Sequence, residues 1–217
     1  MSLKLFFAPG ACSFVPHAML EMAGVNFEPH MVKLHKGEQR TADYLALNPR
    51  GQVPVLVDEG EVITQIIAIL LHLDAKVPHA HILPASGLAR TRALSLLAWM
   101  NNTVHPTFTH FFMPQKFSDD AAAQKAMQRF AVDRYRECLQ EIEVLADNAS
   151  PWLFGDKPGA VDAYSLTLLR WGGYAGIDPT TMPATWARAQ RFAELPAVAI
   201  AVERERLALN VYQSPAA

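Results

Sequence analysis

The sequence predicts a small α/β domain with the order β-α-β-α-β-β-α, followed by an all-helical domain. Three observations carry this reading. Over the first eighty residues, short apolar runs alternate with helix-length segments, the pattern of a small mixed sheet with helices on its faces. The stretch VPHAHILPASG, rich in Pro and poor in charge, then breaks the alternation as a linker would. Beyond it no segment reads convincingly as a strand. The expected division is residues 1–78, a linker at 79–87, and a helical domain over 88–217.

Each element follows from local chemistry. LKLFF is a short continuous apolar run, as in a strand buried on both faces, and it ends at Pro9-Gly10. Phe14, Met19, Leu20, Met22 and Ala23 give a short helix, with Gly24 as its stop. In VNFEPHMVKL, Val25, Phe27 and Met31 alternate with polar neighbours. Pro29 places that strand where one N–H is not needed. TADYLALN is a short helix closed by Asn48-Pro49. VPVLVDEGEVIT reads as a hairpin turning at Asp58-Glu59-Gly60. Thr64 is the expected cap of QIIAILLHLDAK, a helix apolar on both sides and so largely buried.

In the second half, residues 88–112 read as helical with a kink at Pro106. A long helix is expected over 119–147, capped by Ser118, with Asp119 and Asp120 at its positive end. Its apolar stripe runs through Met127, Ala131, Arg134 or Tyr135, Cys138, Ile142 and Leu145. Three shorter helices are expected near 161–174, 183–193 and 196–208.

Composition narrows the function classes. The chain has 217 residues, 51% of them hydrophobic, which is enough for a sizeable core. A net charge of -2 gives no global field toward nucleic acid or an anionic membrane. Two cysteines make no disulfide framework, and the expected compartment is the reducing cytoplasm. The N-terminal apolar run is too short and too lightly charged for an export signal. His79 and His81 have no Cys, Asp or Glu cluster beside them at ligand spacing, so no metal is expected. The balanced charges of WARAQRFAE and VERERLAL read as solvated helix faces, and no GxGxxG or P-loop is present.

Two segments carry chemistry. In APGACSFVPH, Cys12 lies at the first turn of a helix. Free N–H groups and the helix dipole there favour an anion, so its thiol pKa is expected to fall. Ser13 is a natural cap, and Pro16 fits within the first turn. The alternative is a small apolar residue packed at a helix end. Cys138, on the stripe of a long helix, reads as structural. In NPRGQVPVLVD, a cis Val53–Pro54 bond would turn the Val53 N–H and C=O outward for an added strand, although base rate favours trans.

Together these segments and the element order resemble the glutathione transferase family, in particular its bacterial beta class, across essentially the whole chain. The resemblance implies a thioredoxin-like N-terminal domain that binds glutathione, a helical domain carrying the electrophile pocket, and a homodimer. It implies that Cys12 sits beside the glutathione sulfur and can form a mixed disulfide with it, with Ser13 as the adjacent hydroxyl. Val53 would pair with the cysteinyl backbone, before a cis Pro54. Gln52 would contact the γ-glutamyl end, and Lys36, or else His35, the glycine carboxylate. Where the family usually has Glu or Gln followed by Ser or a small residue, this chain has Gln65-Ile66. Ile66 still offers a backbone N–H at a helix N-terminus, but no hydroxyl. Losing one bond to a charged group costs on the order of 1.5–3 kcal/mol. Gly159 replaces the usual hydroxyl before Asp162, a small change in capping.

His105 resembles a family histidine on the pocket wall near the cysteine, with Asn101 or Asn102 nearby. Phe108, Phe111, Phe112 and Met113 either line a pocket or form core. Three functions follow as expectations. The first is a transferase joining the glutathione thiolate to apolar electrophiles. The second is a thiol reductase or isomerase using Cys12 covalently. The third is a non-catalytic binding protein, because Ile66 replaces the usual small residue.

Overall fold

The computed structural model describes residues 3–149 and 151–214. The N-terminal elements are β1 (Leu3–Phe7), α1 (Phe14–Ala23), β2 (Phe27–Met31), α2 (Ala42–Leu47), β3 (Val55–Asp58), β4 (Glu61–Thr64) and α3 (Ile66–Lys76). The four strands form one sheet in the order β2-β1-β3-β4. β1 runs parallel to β2 and antiparallel to β3, and β3–β4 is the expected hairpin. Pro29 does lie on an edge strand, where one N–H faces away from the ladder.

Alternation along β1 separates two packed layers. Phe6 turns to one face and joins Val32, Tyr44 and Val55. Leu5 and Phe7 turn to the other, where Phe14, Met19, Leu20, Ile69, Leu70 and Leu73 are fully buried. α1 stops at Gly24, whose φ of 63° permits its N–H to reach Glu21 O. Thr41 caps α2 through Tyr44 N.

The helical part contains α4 (Gly87–Trp99), α5 (His105–Phe112), α6 (Ala121–Asp147), α7 (Ala160–Tyr174), α8 (Pro183–Ala193) and α9 (Pro196–Glu205). Two compact units result. One holds the residues up to Arg90 together with Ala193–Leu207, and the other holds Thr91–Phe192 with the chain from Ala208 onward. Residues 88–217 are therefore not one unit, because α9 packs on α1.

Local expectations need several corrections. The break before α5 is a π-helical turn, Met100–Val104, rather than a kink at Pro106. Pro106 has no N–H for the carbonyl four residues back, and its ring crowds that carbonyl, so the strain is absorbed upstream. Gln65 rather than Thr64 is the residue before α3, and its side chain makes no capping bond. Asp120 rather than Ser118 caps α6, accepting from Ala123 N, while Ser118 Oγ accepts from Asp120 N. Ala146 completes the buried stripe of α6, whereas Leu145 is 44% exposed. α9 ends at Glu205, short of the expected 208, and is capped by Arg206, which is left-handed at φ 49°.

Candidate active site

Strand register sets the site. Phe7 pairs with Met31, Phe6 with Val55, and Val55 with Thr64. The segments 8–13, 32–41, 48–54 and Gln65 therefore leave or enter the sheet at one end. Cys12, Ser13, Lys36, Gln52, Val53, Pro54, Gln65 and Ile66 all lie on these segments or at the start of α3. His105 belongs to the other unit.

The Val53–Pro54 bond is cis, against the base rate and as the resemblance implies. The segment before it is tightly held. Tyr44 Oη and Asn48 Nδ2 each donate to Gln52 O at 2.8 Å. Gly51 has φ +60°, and a Cβ there would stand 2.8 Å from Gln39 O. Gln52 itself is exposed and Pro54 is buried. The Cys12 thiol donates to Val53 O at 3.6 Å, which joins the two motifs directly.

Cys12 departs from expectation. Burial, with a smaller push from the Glu205 carboxylate, raises its pKa to about 12 against the lowering from backbone N–H groups. Desolvation outweighs the helix terminus, so the resting sulfur is a thiol. Ser13 departs too. It is fully buried, and its hydroxyl accepts from Ala8 N at 3.0 Å and donates to Ala8 O at 3.2 Å. It closes the turn after β1 and makes no capping bond to α1.

Gln65 is exposed with φ 74° and ψ 127°, an uncommon backbone for a non-glycine residue. Ile66 is buried, so its branched side chain packs inside, and the Gln65 side chain makes no bond to the first-turn N–H groups of α3. Lys36 and His35 are exposed on a 3-10 turn, Leu34–Lys36, and pair with no carboxylate among the described residues.

A buried polar chain stands behind the cysteine turn. Glu205 on α9 accepts from Gly10 N at 2.8 Å and lies 2.7 Å from His17 Nδ1. Arg204 Nη1 stands 2.8 Å from His17 Nε2 and also pairs with Glu21. A guanidinium only donates, so Nε2 accepts and the proton on Nδ1 goes to Glu205. Reading the charges of VERERLAL as solvated missed this. Val198, Ala201 and Glu205 share the buried spacing of α9, and that periodicity was the available signal. WARAQRFAE hides a similar case. Arg188 is buried and donates to the carbonyls of Ala146, Ala149 and Pro151 near the end of α6.

In the helical unit, His105 Nδ1 lies 2.9 Å from Tyr164 Oη, and its ring packs edge-on against Trp171 at 4.8 Å. Burial, and secondarily the Lys116 charge, lower its pKa to about 4, so the ring is neutral. Asn101 rather than Asn102 joins it, accepting from Tyr164 Oη at 3.3 Å. Phe108 is buried and stacks on Phe112 and Trp171, while Phe112 is 51% exposed. These aromatics are thus both core and exposed apolar surface. Asp162 reaches back to Gly159 N at 3.0 Å, as the spacing predicts.

In this thioredoxin-like domain Cys12 lies in the turn just before α1, with its thiol against the segment that precedes a cis proline. Comparison with known proteins gives the family. Residues 1–75 match the model of the glutathione S-transferase N-terminal domain. The chain is 31% identical over 208 residues to glutathione S-transferase GstA of Escherichia coli O157:H7, covering 94% of this chain and all of that one. It is 30% identical over 203 residues to the maleylacetoacetate isomerase of Pseudomonas aeruginosa PAO1, covering 91% and 92%. Among solved structures, a glutathione transferase from Methylococcus capsulatus superposes with a TM-score of 0.82 at 35% identity, covering 95% of this chain and 100% of that one. A sphingomonad glutathione S-transferase complexed with glutathione gives 0.79 at 34%, covering 94% and 100%. The chain belongs to the glutathione S-transferase family and is an enzyme of it.

Among the described residues no helix is long and apolar enough to cross a membrane, and no group of three or more metal-ligating side chains occurs.

Proposed function

We propose that the protein binds glutathione at the end of its sheet and joins the glutathione sulfur to apolar electrophiles. The observation that carries this is the contact between Cys12 and Val53 O beside the cis Pro54. The Val53 backbone would pair with the cysteinyl part of glutathione as an added strand. Gln52, Gln65 and the Ile66 N–H would hold the γ-glutamyl end, and Lys36 the glycine carboxylate. The bound glutathione of the sphingomonad relative supports this ligand.

Cys12 keeps its proton, and when glutathione pairs with the Val53 backbone that S–H leaves Val53 O and donates to the neighbouring thiolate instead. The glutathione thiolate then attacks the electrophilic carbon, a C–S bond forms, and the leaving group departs with the bonding electrons. Ser13 is spent on Ala8, so the hydroxyl role passes to Cys12. His105 and the aromatic side chains Phe108, Phe111 and Phe112 form the electrophile side of this reading. Beta-class membership, a homodimer and a cytoplasmic location belong to it as well.

A second reading has its own support. A maleylacetoacetate isomerase is 30% identical to this chain over 203 residues. A glutathione-dependent isomerase or reductase would use the same sheet end.

Calorimetric titration of the reduced protein with glutathione tests both. Binding between micromolar and low millimolar is expected. No heat at several millimolar, together with no thermal shift, would overturn them. Cys12→Ala then separates the two, because conjugation survives loss of the thiol in part and mixed-disulfide chemistry does not survive at all.

A further inference from the structure

Two buried side chains converge on one backbone carbonyl. Tyr44 on α2 and Asn48 just past its end are both buried, and both donate to Gln52 O at 2.8 Å. Burial pushes the Tyr44 phenol pKa up to about 12, so its Oη has a proton to give. The Asn48 amide has one workable orientation. Its Oδ1 accepts from Arg50 N at 3.2 Å, which leaves Nδ2 as the donor facing Gln52 O. Gly51 N donates to Asn48 O at 2.8 Å and closes the same turn. A carbonyl oxygen has two lone pairs, and both of those on Gln52 O are taken.

Peptide geometry carries this constraint one atom group further. Among the described residues only Val53–Pro54 is cis, so the Gln52–Val53 peptide is trans. In a planar trans peptide the C=O and the following N–H point in opposite directions. Pinning Gln52 O toward Tyr44 and Asn48 therefore aims the Val53 N–H away from both. That N–H donates to no atom of the described residues. Val53 is half-buried, and a backbone donor there calls for an acceptor.

We propose that Tyr44 and Asn48 are positioning residues that aim the Val53 N–H at the cysteinyl carbonyl of the bound thiol. The inference deepens the glutathione reading and rests on it. It also narrows the ligand class to thiols that carry a carbonyl on the cysteinyl carbon. Simple thiols such as cysteamine have no such acceptor and leave the N–H unpaired.

The test compares the intact protein with Tyr44→Phe by calorimetric titration with two ligands. One is glutathione. The other is γ-glutamylcysteamine, which keeps the γ-glutamyl end and the thiol but lacks the cysteinyl carbonyl and the glycine. Phe keeps the ring that packs edge-on to Phe6, and a thermal melt checks the fold. Glutathione should bind Tyr44→Phe about three- to tenfold more weakly, while the analogue should change by less than about twofold. Asn48→Asp turns an acceptor toward Gln52 O and should show the same selective loss, larger in size. The Val53 amide proton gives a second readout by nuclear magnetic resonance. Glutathione should move its signal downfield in the intact protein and by less in Tyr44→Phe. An unmoved Val53 signal, or an unchanged glutathione affinity in Tyr44→Phe, would overturn the proposal. So would an equal loss for both ligands, because a merely structural role weakens the whole segment. No binding of glutathione to the intact protein would sink the glutathione reading itself, and the proposal with it.

Discussion

At the scale of single residues, the decisive contest is at Cys12. The helix terminus and its N–H groups favour a thiolate, yet burial and a buried carboxylate win, and the pKa rises to about 12. Alkylation of Cys12 by iodoacetamide should therefore be slow at neutral pH in the free protein. Its rate should keep rising with pH above the ordinary thiol range, without a plateau below pH 10. A plateau at or below the ordinary thiol range would contradict the structure. Glu205→Gln removes the charge and keeps the shape, so the midpoint should move down. The size of that move is limited, because desolvation is the larger cause. The Glu205 network is also where local reading failed most clearly. A lone Glu in a charge-balanced helix is usually solvated. Its burial is settled by α1 and the cysteine turn, about 190 residues away in the chain.

At the scale of elements, termini are secured across the chain rather than by their own residues. Glu143 on α6 accepts from Ala184 N and Thr185 N at 2.8 Å each, and from Thr185 Oγ1 at 2.6 Å. It acts as the N-cap of α8 from another helix. Glu143→Ala should cost about 1–2 kcal/mol, read as a lower urea midpoint at unchanged m value. Glu143→Gln should recover part of the loss. An unchanged midpoint in the Ala variant would show that water replaces the cap. The same logic explains two misplaced caps. Spacing marks where a helix begins, but the flanking φ and ψ decide which side chain reaches the free N–H groups, as Asp120 does in place of Ser118. Apolar runs, alternation and turn residues, by contrast, placed all four strands and nearly every helix, because these signals act over a few residues.

At the scale of the whole molecule, the chain returns to its first unit through α9. Deleting everything after Leu195 would expose the apolar face that Val198 and Ala201 cover. It would also leave Gly10 N–H and His17 Nδ1 without their acceptor. Several kcal/mol are at stake from lost apolar burial and unpaired buried donors. The shortened protein should lose cooperative thermal unfolding of its α/β unit and should bind glutathione far more weakly. A melt and a binding isotherm like those of the intact chain would show that α9 is dispensable. A division by secondary-structure class alone puts α9 with the other helices, and only the packing reassigns it.

Much of the site was legible as two short segments, since a cysteine at a helix start and a Gly-Gln-Val-Pro turn are local patterns. The sequence by itself determined the strand and helix order, the hairpin, the all-helical second half and the positions of the candidate residues. These follow from periodicity and turn chemistry, which act over a few residues. Tertiary structure alone decided the protonation of Cys12, the withdrawal of Ser13 into the turn, the burial of Glu205 and the pairing of His105 with Tyr164. Each of these depends on desolvation and on partners from distant elements, and the free energy of a buried polar group is fixed by what surrounds it rather than by its neighbours in the chain.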